Sequence, residues 1–314
     1  MEKRTLGHTG IEVSRLCFGS LTMTKMQRNL SIEEGAALLV DAYKKGVNFV
    51  DTAQYYENYA YIRKALETIP REDYIIATKS YAYDTITAKA AFEEALEQLG
   101  TDYIDLFLLH EQESEHTLRG HEEALLYFAE QKKAGKIRAL GLSTHFVAGV
   151  LGGINHPLIE VIHPIYNEKG IGIADGTREM MDSAIEKAKA AGIGIYGMKA
   201  LGGGHLIPTA RESISFVLVN PNIDAVAIGM QSVDEIDANI ALFSGEPRED
   251  LHDRLRKQPR HLSIDDYCIG CGNCEKRCNH NAIHVIDGQA VVNENCILCG
   301  YCAFTCPEFC IKVI

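Results

Sequence analysis

Residues 74–110 read YIIATKSYAYDTITAKAAFEEALEQLGTDYIDLFLLH. An apolar run at Tyr74–Ala77 is followed by Ala88–Leu99, where apolar residues recur at helical spacing and Gly100 stands just beyond the end. A second apolar run, Ile104–Leu109, comes next. The stretch therefore predicts a strand, a helix and a second strand, which is the repeating unit of a parallel sheet.

The same unit recurs about every thirty residues through the first 240 positions. Eight apolar runs are candidate strands: Leu16–Phe18, Phe49–Val50, Tyr74–Ala77, Ile104–Leu109, Ala139–Leu142, Val161–Ile165, Gly194–Met198 and Ala225–Ile228. Helical patterns lie between them at Ile32–Lys45, Ala88–Leu99, Glu122–Ala134, Arg178–Ala191 and Val233–Ala241. Eight repeats predict a (β/α)8 TIM barrel of the α/β class. A doubly wound open sheet is the alternative, but Phe18-Gly19-Ser20 lacks the glycine-rich turn it requires.

The composition is that of a globular chain without a strong positive field. With 314 residues, 46% of them hydrophobic, the chain can bury one large core and carry a small appended domain. A net charge of −12 and the lack of a Lys/Arg-rich stretch argue against nucleic acid as a partner. No apolar stretch approaches the roughly 18 residues of a membrane span, and Met1–Arg15 lacks a signal region. We therefore expect a cytoplasmic protein without a membrane partner.

Cysteines are concentrated near the C-terminus, where nine of the ten lie between Cys268 and Cys310. The run Cys268-x2-Cys271-x2-Cys274-x3-Cys278 recurs 28 positions later as Cys296-x2-Cys299-x2-Cys302-x3-Cys306-Pro307. The same offset pairs Gly272 with Gly300, so the sequence predicts two equivalent half-domains. Without a secretion signal, this spacing indicates metal binding rather than disulfides.

Soft thiolates at this spacing are typical of iron–sulfur clusters, and the double run resembles that of bacterial two-cluster ferredoxins over residues 263–314. In that family the fourth cysteine of each run ligates the other cluster. The resemblance thus implies a small α+β ferredoxin-like domain with two 4Fe-4S clusters, one on Cys268, Cys271, Cys274 and Cys306, the other on Cys296, Cys299, Cys302 and Cys278. Asn279 departs from the family pattern, which has proline there. Two structural zinc sites are the alternative. Cys310 and Cys17 are interpreted as packing residues.

Polar residues end three neighbouring strands of the predicted barrel. Asp51, Lys79 and His110 each close an apolar run, and Tyr56 lies in the loop after Asp51. Because the carboxyl ends of barrel strands meet at one mouth, we expect these side chains to converge. A phenol is a weak acid at neutral pH, but an adjacent ammonium lowers its pKa and a carboxylate keeps that ammonium charged. Tyr56 is thus predicted to donate a proton, assisted by Lys79 and Asp51, while His110 polarises the substrate oxygen.

These residues lie in motifs that resemble the aldo-keto reductase family over roughly residues 3–240: Asp51-Thr52-Ala53-x-x-Tyr56, Ala77-Thr78-Lys79 and Asp105-Leu106-x-Leu108-x-His110, preceded by the opening segment Arg4–Ser14. The resemblance implies a hairpin across the barrel bottom, a small carbonyl-type substrate and NAD(H) or NADP(H) as the coenzyme. It implies coenzyme contacts at Gly19, Ser20, Ser143, His163, Asn167, Met198, Lys199, Gly229 and Asn239. Thr144, His163 and Met198 replace the asparagine, glutamine and aromatic residue common in the family. A flavin is therefore kept as a further candidate cofactor.

The predicted organisation is a barrel over residues 1–241, a linker over 242–262 and an iron–sulfur domain over 263–314. We expect an oxidoreductase that reduces a carbonyl with a nicotinamide coenzyme, with electrons relayed through the clusters, or with both. The alternatives are an electron-transfer protein whose barrel is a non-catalytic scaffold, and a flavin-linked reductase fed by the clusters. A redox partner protein such as a ferredoxin is expected in each case.

Overall fold

A computed structural model describes the whole chain, Met1–Ile314. Its strands β1 to β14 are Lys3–Thr5, Glu12–Ser14, Leu16–Gly19, Phe49–Asp51, Ile75–Ser80, Ile104–Leu109, Ile137–Thr144, Val161–Pro164, Gly194–Met198, Ala225–Gly229, Leu262–Ile264, Ile283–Ile286, Gln289–Val292 and Ile311–Val313. Its helices α1 to α11 are Ile32–Lys44, Tyr59–Ala65, Thr85–Leu99, Glu115–Gly120, Glu122–Lys133, Val147–Asn155, Arg178–Ala190, Ala210–Leu218, Val233–Phe243, Glu249–Arg256 and Asn273–Arg277. None of these helices combines the length and apolar character needed to cross a bilayer.

Eight strands close into a parallel barrel in the order β10-β3-β4-β5-β6-β7-β8-β9. The ring closes where β10 pairs with β3, with Val226 opposite Leu16 and Gly229 opposite Gly19. The eight predicted strands and the barrel are confirmed, because an open sheet would leave β3 and β10 as unpaired edges.

The helices around the barrel begin at residues that satisfy their free backbone N–H groups. Ser31 caps α1: its side-chain oxygen accepts a hydrogen bond from the N–H of Glu34, and the Glu34 carboxylate accepts one from the N–H of Ser31. Asp84 caps α3 in the same way, and Gly100 ends α3 at a φ of +66°. All five predicted helices are present. The short helices α2, α4, α6 and α8 were not predicted from the sequence, which carries too few helical repeats there to reveal them.

The N-terminal hairpin of β1 and β2 closes the bottom of the barrel, as predicted. The strands pair antiparallel, with Arg4 opposite Val13. Leu6, Ile11 and Val13 are buried and pack in one cluster with inward-facing strand residues, among them Cys17. Burial raises the pKa of the Cys17 thiol well above its ordinary value, which agrees with an inert packing role.

Residues from 262 onward form two small antiparallel pairs, β11 with β14 and β12 with β13. A shift of 28 residues superimposes β11 on β13 and β12 on β14 in the sequence, so each strand pair joins one strand from each half of the repeat. Their small core includes Leu262, Ile283 and Ile311. Strand β11 crosses the expected 262/263 boundary, and helix α10 lies inside the segment expected to be a linker.

The C-terminal strand packs on the carboxyl end of the barrel, against the glycine turn Gly202–Gly204. His205 Nε2 lies 2.9 Å from the carbonyl oxygen of Ile311. A Cβ on Gly203 would come within 2.9 Å of the Phe309 ring, and one on Gly204 would collide with the Val313 carbonyl oxygen. Only glycine permits this close approach. Since the turn lies at the carboxyl end of the barrel, the segment that carries the cysteines lies directly above the mouth.

Candidate active site at the barrel mouth

A buried ion pair forms the floor of the mouth. Lys79 on β5 donates to Asp51 Oδ2 at 2.8 Å and to the carbonyl oxygen of Thr52 at 2.8 Å. Tyr196 on β9 donates its hydroxyl to Asp51 Oδ1 at 3.0 Å. The sequence analysis missed Tyr196, although it occupies an inward position of a predicted strand, two residues before Met198.

Tyr56 lies above this pair in the turn after β4. The Lys79 ammonium is 5.0 Å from the centre of the Tyr56 ring, and the His110 ring centre is 5.8 Å away. Burial first, and then the carboxylates of Asp51 and Glu111, raise the pKa of the Tyr56 phenol well above its ordinary value. The lowering of this pKa by Lys79 stays a prediction, since the ammonium bonds to Asp51 and Thr52 in this structure. Tyr56 is therefore present as the protonated phenol.

His110 ends β6 on the same side of the barrel. It is 5% exposed, and its ring stacks on Tyr81 with the ring centres 4.5 Å apart. Burial, followed by the charges of Lys79 and Lys199, lowers the pKa of His110 well below its ordinary value, so the imidazole is neutral. Its Nδ1 is buried without a hydrogen-bond partner. Because buried polar atoms are seldom left unpaired, this nitrogen is suited to meet a ligand.

Three residues expected to contact the coenzyme also form hydrogen bonds within the protein. Asn167 Nδ2 donates to the carbonyl oxygen of Ile171 at 2.9 Å, and Asn167 Oδ1 accepts from the Ile171 N–H at 3.0 Å. Ser143 Oγ accepts from the N–H of Glu111 at 2.9 Å. His163 Nδ1 is 2.5 Å from the carbonyl oxygen of Tyr196. These bonds fix the side chains at the strand ends, and their contacts with a coenzyme stay predictions.

The other residues expected to contact the coenzyme lie in different parts of the barrel. Gly19 and Gly229 are paired across β3 and β10, and the adjacent Ser20 donates to the carbonyl oxygen of Asp51 at 2.7 Å. Asn239 is buried in α9, and Met198 is half-buried at the end of β9. The structure thus brings the three residues Gly19, Ser20 and Gly229 together beside the ion pair.

Lys199 follows Met198 and adopts a φ of +60°, which is unusual for a residue with a side chain. Its Nζ lies 2.7 Å from His145 Nε2 and 4.7 Å from the centre of the Phe309 ring. Burial lowers the pKa of Lys199 to about 8. Lys199 is therefore a half-buried cation at the junction of the barrel and the C-terminal segment.

The cysteines expected to hold the first cluster line one cavity: Cys268, Cys271, Cys274 and Cys306. The N–H of Ala290 points at Cys268 Sγ, 3.5 Å away, as backbone amides do toward cluster sulfurs. Nowhere in the structure, however, do three or more His, Cys, Asp or Glu side chains converge closely enough to hold a metal ion. The cluster assignment therefore stays a prediction from spacing, to which the shared cavity adds support.

The second set of cysteines has a similar backbone environment. The N–H of Ala282 lies 3.3 Å from Cys278 Sγ. Burial raises the pKa of the Cys278 thiol, but the N–H groups of residues 280–283 more than offset this and lower it overall. Burial, and then proximity to Cys299, raises the pKa of Cys302 to about 11. These donor sets fit clusters that bind thiolates and accept amide hydrogen bonds.

Cys310, expected to pack, is buried and its Sγ lies 3.4 Å from Cys306 Sγ. A hydrogen bond from the Cys310 thiol is the main reason that the pKa of Cys306 is lowered to about 6. Cys310 therefore also stabilises the thiolate of an expected ligand.

Comparisons with known proteins agree with the fold. The chain is 24% identical over 284 residues to L-galactose dehydrogenase of Arabidopsis thaliana, covering 77% of this chain and 88% of that protein. It is 27% identical over 171 residues to the NADH-specific methylglyoxal reductase of Escherichia coli, covering 45% and 51%. An aldo-keto reductase structure from Bacillus halodurans has a TM-score of 0.66 at 21% identity, covering 82% of this chain and 96% of that one. The sequence profile of the Aldo/keto reductase family matches residues 15–212. The chain therefore belongs to the aldo/keto reductase family and is an oxidoreductase of that type.

Proposed function

We propose that this oxidoreductase reduces a carbonyl group of a small molecule, with a nicotinamide coenzyme, with electrons relayed through two 4Fe-4S clusters, or with both, in the cytoplasm. The observation that carries the proposal is the meeting of Asp51, Tyr56, Lys79 and His110 in one mouth, beneath the C-terminal cysteine segment.

The tetrad suits the charge that develops during carbonyl reduction. Conversion of a carbonyl to an alcohol takes two electrons and two protons, and negative charge gathers on the oxygen. Tyr56, held as a phenol, donates the proton to that oxygen. Lys79 stabilises the resulting phenolate, while Asp51 keeps Lys79 charged and fixed. Neutral His110 donates an N–H to the same oxygen and orients the substrate.

The iron–sulfur domain is proposed over residues 263–314, with the two cysteine sets as ligands. Each cluster, when bound, would carry one electron, so two reduced clusters would supply the two electrons that one carbonyl takes up. Tyr56 would give one proton to the oxygen, and a second proton, taken from solvent, would form the new C–H bond. Support comes from the shared cavity of the first set and the amide N–H groups directed at Cys268 and Cys278. The packing of the buried Phe309 ring against His145 further supports electron exchange with the barrel, because it brings the two parts into contact.

The substrate class follows from the family and its members. The names of two relatives, L-galactose dehydrogenase and methylglyoxal reductase, describe exchange between an alcohol and a carbonyl on a small molecule. We extend that class to this chain. A ferredoxin or similar carrier is the proposed redox partner. A flavin at the mouth would replace the nicotinamide in this scheme, since it exchanges both one and two electrons.

The proposal is tested with the full chain prepared without oxygen. Iron analysis is expected to give about eight irons per chain. Addition of NADH or NADPH is expected to bleach the cluster absorbance and to produce an electron paramagnetic resonance signal, and methylglyoxal is then expected to restore the absorbance. The Tyr56→Phe variant is the control, because it should still bleach but recover slowly. Absence of iron would remove the cluster assignment. Bleaching by a reduced ferredoxin without any carbonyl turnover would instead favour an electron-transfer protein with a non-catalytic barrel.

A further inference from the structure

Lys199 is held in place by features that a surface lysine does not need. Its backbone lies in the left-handed region at a φ of +60°, a strain that persists only where the surroundings enforce it. Its Nζ is fixed 2.7 Å from His145 Nε2. Phe309 covers its outer side, with the ring centre 4.7 Å from the ammonium. The half-buried side chain is thus held between His145 and Phe309.

This ammonium has no carboxylate partner. Glu111 and Asp265 are the acidic groups that act on Lys199, and both do so from beyond bonding distance. Each is engaged elsewhere, since Glu111 accepts from the hydroxyl of Tyr81 at 2.7 Å and Asp265 from that of Tyr267 at 2.6 Å. Removing a cation from water without a partner is costly, so an anionic ligand would be strongly favoured beside it.

Lys199 lies on the rim of the barrel that carries the catalytic residues. It directly follows β9, His110 directly follows β6, and all strands of the parallel barrel end on that side. The Nδ1 of His110 is buried there without a hydrogen-bond partner. Phe309 and Val313 lie against the glycine turn Gly202–Gly204, which follows Lys199 in the chain. The cation is therefore at the mouth, where the substrate of the proposed reaction would bind.

We propose that Lys199, positioned by His145, binds an anionic group of the substrate, so that the preferred substrates are carbonyl compounds carrying a carboxylate or a phosphate. This inference rests on the proposed carbonyl reduction but is tested by binding, which needs no electron donor. It makes Lys199 a specificity-determining residue.

The test compares matched probes by calorimetry on the full oxygen-free protein. Pyruvate is paired with 2,3-butanedione, in which a neutral acetyl group replaces the carboxylate, and glyceraldehyde 3-phosphate is paired with glyceraldehyde. At least one anion is expected to bind about tenfold tighter than its neutral partner, the worth of a hydrogen bond to a charged group. Lys199→Met is expected to abolish the preference, Lys199→Arg to retain it, and Lys169→Met, at an exposed lysine, to leave it unchanged.

The pH dependence separates a binding role from a structural one. Because the pKa of Lys199 is lowered to about 8, the affinity for pyruvate, which stays ionised throughout, should be constant below that pH and should fall about tenfold per unit above it. Lys199→Arg should remove this fall. The other charged or titratable groups that interact with Lys199 are His110, His145, His163, Glu111, Asp265, Lys79 and Lys312. Of these, His145 is neutral at these pH values because burial lowers its pKa well below the ordinary value.

Three results would overturn the inference. The first is equal binding of both members of each pair, and the second is a preference for the anion that survives Lys199→Met. The third is that ADP-ribose displaces the anion from the wild type and that Lys199→Met no longer binds ADP-ribose. The last result would assign Lys199 to the coenzyme. If instead the proposed carbonyl reduction is wrong, the anions would still bind through Lys199 but would not be reduced. Turnover of neutral carbonyls without any anion preference would keep the function and remove this site.

Discussion

The Lys79 ammonium and the Asp51 carboxylate, 28 positions apart in the chain, form an ion pair of 2.8 Å with side chains only 1% and 6% exposed. Replacement of Lys79 by methionine leaves the carboxylate buried with the hydroxyl of Tyr196 as its remaining side-chain donor. We expect kcat/KM for carbonyl reduction to fall by about 10² to 10⁴. We also expect about 3–5 kcal/mol of destabilisation, seen as a lower Tm. Lys64→Met, at an exposed helical pair, is the control. Full activity in Lys79→Met would remove the ion pair from the mechanism.

The pH profile should reflect a protonated Tyr56 and a neutral His110. The pKa of Tyr56 is raised above, and that of His110 lowered below, the ordinary values of about 10 and 6.5. Neither group changes charge between those limits, so kcat/KM for a neutral carbonyl such as methylglyoxal should stay flat there. Tyr56→Phe should reduce it about 10²- to 10⁴-fold, while Tyr55→Phe, at an exposed neighbour, should not. A rate that declines in this range and depends on Tyr56 would contradict the assignment.

His163 is expected to destabilise the fold in mild acid. Burial is the main cause that lowers its pKa to about 4. As the pH falls below about 6.5, the unfolded state binds a proton that the folded state does not, so stability is lost down to about pH 4. Wild type should therefore lose about 2 kcal/mol between pH 7 and pH 5 from this group. His163→Gln should show a correspondingly smaller drop in Tm. An equal drop in both proteins would show that His163 is charged in the folded state.

Two neighbouring thiols should differ in their effect on iron content. Cys306 and Cys310 have sulfurs 3.4 Å apart, but only Cys306 lies in the repeated run. Cys306→Ala is expected to lower iron from about eight to about four atoms per chain, while Cys310→Ala keeps about eight. Iron analysis and electron paramagnetic resonance of the oxygen-free proteins measure this. Equal loss from both variants would mean that Cys310 ligates a cluster as well.

Phe309 should couple the two parts of the molecule. It is 3% exposed and contacts His145 and Lys199 of the barrel. Phe309→Ala is expected to cost about 3–5 kcal/mol and to slow electron exchange between clusters and barrel, with iron content unchanged. Phe304→Ala, at a phenylalanine that is 55% exposed, is the matched control. Stopped-flow absorbance under argon measures the rate, and an unchanged rate would place the electron route elsewhere.

Periodicity and residue order were enough to predict the barrel and the positions of Asp51, Tyr56, Lys79 and His110. Strand and helix repeats are local patterns, and a parallel barrel brings every strand end to one rim. The cysteine spacing likewise predicts cluster ligands, because a thiolate set that shares a cluster is confined to short loops, and that assignment stays a prediction.

Only the tertiary structure decided the charges and contacts within the mouth. The pKa of Tyr56 depends on which atoms Lys79 bonds, and the sequence does not fix that choice. The hydrogen bonds between the Asn167 side chain and the Ile171 backbone likewise could not be predicted from the sequence. Packing of Phe309 over Lys199 joins residues 110 positions apart, far beyond any sequence period. Burial and electrostatics arise from the sum of such distant contacts, which is why local patterns predicted the site but not its protonation states.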